Sequence, residues 1–133
     1  MQLNVANNDI PSAIKAATAA AQTAPGVASI WFQLGLLYYA AGDTKSAIEP
    51  LEQAVTLVPE YANAKYFLGL SYYAQKRNGD ALKQFQDLEK SNPDSSEVKL
   101  ILGNMQAGKA PFTDAVPPAN QPPQTRPKAP VGE

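Results

Sequence analysis

The chain contains no cysteine and no histidine. The first absence excludes disulfides and thiolate metal sites and leaves the redox compartment open. The second removes the commonest general base and the commonest transition-metal ligand. An excess of either charge is also missing. Eleven Lys and Arg stand against twelve Asp and Glu, a net charge of −1 with pI about 5.4. That balance does not favour a polyanion, so no nucleic-acid partner is expected. Long apolar runs are absent as well. The most apolar stretch, residues 27–41, is too short to span a bilayer and contains Ser29 and Gln33. The opening Met1-Gln2-Leu3-Asn4-Val5 has neither a basic start nor an apolar run, so it does not read as a signal peptide.

What the chain does have is a period. Gly35, Gly69 and Gly103 are spaced 34 residues apart. Ala13, Ala47 and Ala81 keep the same step, as do Pro25, Pro59 and Pro93, and Leu34, Leu68 and Leu102. A shared period of this length marks an array of stacked units, which builds extended surfaces in preference to enclosed catalytic pockets.

Each unit reads as two helices. Residues 27–41 carry Ile30, Trp31, Leu34, Tyr38 and Ala41 on one helical stripe. Gly42 and Asp43 end that helix and open the next, with Asp43 or Thr44 as N-cap. The second helix, 45–57, presents Ala47, Ile48, Leu51, Ala54 and Val55 to the core, and Pro59 stops it. Pro50 lies inside this helix, near its start, where a mild kink is expected more than a break. The next unit repeats the plan over 61–75 and 79–91. Asp94-Ser95-Ser96-Glu97 reads as a capping box with Asp94 as N-cap, opening a last helix that Gly108 closes. Asp9, Asp43 and Asp80 recur near helix starts and read as caps.

Counted backwards, residues 10–24 match the second helix of an earlier unit, whose first helix would fall before residue 1. The expectation is a module of a longer array or longer protein. The boundaries expected are a solenoid over 1–110 and a tail over 111–133. The solenoid divides into a half unit (1–27), two full units (28–61 and 62–95) and a capping helix (96–108). The tail is rich in Pro and is read as disordered or polyproline II. Phe112 is expected to fold back onto the last helix. Arg126-Pro127-x-x-Pro130 formally matches a PxxP ligand, but a linker is the favoured reading.

Trp31-x-x-Leu34-Gly35-x-x-Tyr38, followed by Ala47, Leu51, Ala54 and Pro59, resembles the tetratricopeptide repeat. So do Leu68-Gly69-x-x-Tyr72, Ala81, Phe85 and Pro93. The second unit departs from the pattern at Lys65 and Leu88. The resemblance implies an all-α solenoid of antiparallel helix pairs in a right-handed superhelix, and a non-catalytic role in protein–protein interaction. A narrower resemblance lies in residues 31–39, in Asn92-Pro93-Asp94-x-x-Glu97-Val98-Lys99 and in Gly108-Lys109-Ala110-Pro111-Phe112. These are similar to repeat domains appended to bacterial multi-pass membrane proteins of the O-antigen ligase type. That resemblance implies a segment held at a bacterial membrane through a preceding region; the compartment otherwise stays open.

A second apolar stripe runs along the first helix of each unit: Phe32, Leu36 and Tyr39, then Tyr66, Leu70 and Tyr73. Helices apolar on several sides need several partners. In the resembled family these offsets line the concave groove, which implies a peptide or amphipathic-helix site over Phe32, Leu36, Tyr39, Asn63, Tyr66, Leu70, Tyr73, Leu100 and Asn104. Ser29, Asn63 and Glu97 would sit at its rim. The same offsets in domains that clamp a C-terminal carboxylate carry Lys, Arg and Asn. Here they hold Phe32, Leu36, Phe67 and Ile101, so no such clamp is expected. Two readings of these side chains stay open: an open groove, or side chains packed between units or covered by a preceding helix or by the tail. A second function also stays open, self-association through the N-terminal end that carries Ile10, Ile14 and Ala17. No catalytic residue, metal site or cofactor is expected.

Overall fold

The computed structural model describes residues 9–112. Of the stretch expected as a disordered tail, 111–133, Pro111 is instead buried and Phe112 half-buried; its remainder from 113 onward, and residues 1–8, lie outside the described residues. Between them run six helices, with no strand among the described residues: α1 (Ile10–Thr23), α2 (Ala28–Ala40), α3 (Thr44–Leu57), α4 (Ala62–Ala74), α5 (Asn78–Ser91) and α6 (Ser96–Gln106). They form an all-α repeat solenoid. Each helix packs mainly on its neighbours in sequence, and α2 pairs most extensively with α3, and α4 with α5.

The repeated small residues set the distance of approach within a pair. A Cβ built on Gly35 would lie 2.5 Å from Leu51 Cγ, and one built on Gly69 would lie 2.8 Å from the Phe85 ring. Leu51, Phe85, Ala47 and Ala81 are all fully buried. Thus one helix contributes the hollow and its partner the knob that fills it. Two core clusters result. One holds Ala47, Ile48, Leu51, Leu68, Tyr72 and Ala81; the other holds Leu70, Phe85, Leu88, Val98, Ile101 and Leu102. Phe112 packs against the second cluster.

The helix ends depart from expectation in three places. At α6 the N-cap is Ser95, not Asp94: its hydroxyl accepts from the Val98 amide at 3.3 Å. Glu97 accepts instead from Tyr66. Of the three recurring aspartates only Asp43 caps, accepting from the Ser46 amide at 3.2 Å. Asp9 holds the N-cap position of α1 without a side-chain cap bond, and Asp80 lies in the first turn of α5, paired with Arg77. α3 runs unbroken through the buried Pro50.

Candidate functional site

The first helices of successive units, α2, α4 and α6, carry the expected groove residues. Phe67 joins α2 to α4. Its ring centroid is 5.2 Å from that of Tyr39 and 6.2 Å from that of Phe32, and Tyr66 stands edge-on to it at 5.3 Å. Phe32 also meets Tyr61 at 5.2 Å. Such tilted and edge-to-face pairs add about 0.5–1.5 kcal/mol each beyond area burial. The result is one continuous aromatic platform, Tyr61–Phe32–Phe67 with Tyr39 and Tyr66 each packed on Phe67, whose members are all half-buried.

Phe67 and Tyr61 were not among the expected site residues. The signal was available at Phe67: its equivalent one unit earlier is the exposed Gln33, so an aromatic ring there is specific to this unit. Tyr61 opens onto a shallow trough of about 570 Å³ across the N-terminal ends of α2 and α4, bordered by Ser29 and Asn63.

The remaining expected residues divide. Leu36, Tyr39, Tyr66 and Tyr73 are half-buried, Asn63 is exposed and Leu100 is 37% exposed. Leu70, by contrast, is 5% exposed within the core cluster of α4, α5 and α6. Asn104 is 8% exposed, and its Nδ2 donates to the Pro111 carbonyl at 3.0 Å. Those two side chains hold the end of the array together and present little surface. Tyr73 borders a separate hollow of about 200 Å³ beside Leu82, Met105 and Gly108.

The platform is electrically neutral. Burial pushes the Tyr39 and Tyr61 hydroxyls above the ordinary phenol range. Tyr66 is raised far above it, first by burial, then by the hydroxyl's 2.7 Å hydrogen bond to Glu97 Oε2 and that carboxylate's charge. These phenols therefore act as hydrogen-bonding apolar surface, with no proton to exchange near neutrality. Among the described residues, no group of three or more acidic side chains is placed to hold a metal ion. No helix among them is long and apolar enough to cross a membrane.

A family profile of the tetratricopeptide repeat matches three overlapping windows, residues 2–62, 34–96 and 66–120. The chain belongs to the tetratricopeptide repeat family. A crystal structure of a thermophilic tetratricopeptide protein from Thermus thermophilus is similar in fold, with TM-score 0.65 and 20% identity. The match covers 80% of this chain and 54% of that one, so the chain spans about half the length of that protein. Curated proteins gave no match. Tetratricopeptide repeats generally mediate protein–protein interaction and generally act as non-catalytic scaffolds, which agrees with a site built of aromatic surface.

Proposed function

We propose that this tetratricopeptide array binds a peptide or amphipathic helix of a protein partner along α2 and α4. The observation that carries the reading is the linked aromatic platform. Its rings already pack on one another, yet Tyr39, Tyr66 and Phe32 remain half-buried on the same two helices as the exposed Asn63. Preformed aromatic surface with polar tips binds apolar side chains at low entropic cost, because two-torsion rings have little freedom to lose. Leu36 and Tyr73 extend the surface, and the trough between Ser29, Tyr61 and Asn63 supplies a polar margin.

Replacing Tyr39 and Tyr73 together by Ala is expected to abolish peptide capture while helical circular dichroism stays near the parent value. Unchanged capture would overturn the reading. Attachment to a membrane protein of the O-antigen ligase type would place this surface beside a bilayer, where it would position a partner. Self-association is a second reading, supported by Ile10, Ile14 and Ala17, which stay half-buried on α1. Light scattering across a concentration series separates the two, since a strict monomer removes self-association and leaves the groove intact.

A further inference from the structure

The gap between the second helices of neighbouring units is filled in one place and open in the next. Between α3 and α5, Tyr72 is 6% exposed. Its hydroxyl donates to the Glu52 carboxylate, and the Arg77 guanidinium lies 4.5 Å from its ring centroid. Arg77 in turn pairs with Asp80 at 2.9 Å. A cation over an aromatic face, held by a carboxylate, closes that gap from within.

One repeat earlier the same positions are Tyr38, Thr18, Asp43 and Ser46. Thr18 donates its hydroxyl to the Ile14 carbonyl, and Asp43 caps α3. Tyr38 is thus left without the counterparts of both the Glu52 acceptor and the Arg77 cation. A cavity of about 330 Å³ lies here instead, between α1, α2 and α3. That size is at the low end of ligand pockets, which run about 300–1,000 Å³.

The lining is suited to a cation. Trp31 and Tyr38 supply aromatic surface, and the Trp31 indole is held by its 2.8 Å bond to the Pro25 carbonyl. Glu49 supplies a carboxylate. Pro50 has no N–H to offer the Ser46 carbonyl four residues earlier, so that oxygen lacks its helical donor. Both Ser46 and Pro50 line the cavity. Lys45 lines it too and makes no ion pair with Glu49.

We propose that this cavity is a socket for an arginine side chain of a protein partner. The guanidinium would take the place over Tyr38 that Arg77 takes over Tyr72, and it would donate to Glu49 and to the Ser46 carbonyl. Arginine fits better than lysine because its planar group stacks on rings while its fork of donors reaches two acceptors. The socket is built from α1, α2 and α3 and does not depend on the aromatic platform.

Trp31 is the only tryptophan in the chain, so its emission reports on the socket directly. The probe is N-acetyl-arginine methylamide, titrated into the full chain, with the citrulline and lysine analogues beside it. A saturable emission change is expected with the arginine probe and none with the uncharged citrulline analogue. The Glu49→Gln variant is expected to bind the arginine probe about tenfold more weakly. Asp43→Arg should place a cation from within over Tyr38 and block the probe. A non-saturable response, equal binding of citrulline, or full binding by Glu49→Gln would overturn the proposal. So would an emission shift in probe-free Arg126→Ala, because it would assign the socket to the chain's own tail.

Discussion

Gly35 and Gly69 have no room for a methyl group, whereas a Cβ on Gly103 would meet nothing within 4 Å among the described residues. The same repeat residue therefore has two different roles. Gly35→Ala and Gly69→Ala are expected to lower stability by about 1–3 kcal/mol, the usual range for overpacking a core. Gly103→Ala, inside α6, is expected to raise it by up to about 1 kcal/mol through helix propensity. Urea unfolding measures all three, and effects of one sign at every position would contradict the account. Tyrosine ionisation provides a second test at this scale. Tyr66 and Tyr72 are raised well above the ordinary phenol value, each first by burial and then by its bond to Glu97 or Glu52. A raised value in the folded state means that the neutral form is favoured there. The stability it contributes is complete below about pH 10 and is lost as pH rises through the folded values. Above pH 10 the parent protein should lose stability more steeply than the Tyr66→Phe, Tyr72→Phe double variant; equal slopes would show that neither hydroxyl is coupled to folding.

At the scale of the helix, the connections repeat less faithfully than the cores. Gly42 follows α2 with φ +83°, and its equivalent after α4 is Lys76, with φ +65°. An L side chain in the left-handed region costs about 1–2 kcal/mol. Lys76→Gly relieves that strain, partly offset by the greater freedom of glycine in the unfolded chain. A net gain of about 0.5–1 kcal/mol is expected, read as a rise of about 2–6 °C in the unfolding midpoint. An unchanged or lower midpoint would mean that Lys76 is held there by contacts that outweigh the strain. The helices themselves were legible in the sequence to within a residue or two, since the ladders of Gly, Ala, Leu and Pro fix both spacing and stops. The cap of α6 was harder to read. Asp94 and Ser95 are equally good N-caps, and which of them is used depends on where the preceding turn hands over to the helix. Glu97 had two competing uses, the capping box or a tyrosine on the previous unit, and only tertiary packing decides between them.

Across the whole molecule, the repeat was readable because every unit solves the same packing problem. The site was readable only in part. A stripe on one helix shows which residues share a face, not how far the neighbouring helix covers them. Leu36 stays half-buried whereas Leu70, one repeat later, is closed in by Phe85, Leu88 and Ile101. Asn104 turns inward for the same reason: the chain beyond α6 folds back and offers it the Pro111 carbonyl. The exposed positions of α6 mix Lys99, Gly103 and Gln106 with the 37% exposed Leu100. The half-buried aromatic surface is concentrated on α2 and α4, with Phe32, Tyr39, Tyr66, Phe67 and Tyr73. Mapping bound peptide residue by residue tests that placement most directly. Peptides selected from a random library against the full chain would be titrated into labelled protein, and amide shift changes recorded. The account predicts changes centred on residues 28–40 and 62–74, strongest near Tyr39, Phe67 and Tyr66, and lost in the Tyr39→Ala, Tyr73→Ala double variant. Shifts confined to α1, α3 and α5, or undiminished in that variant, would contradict it.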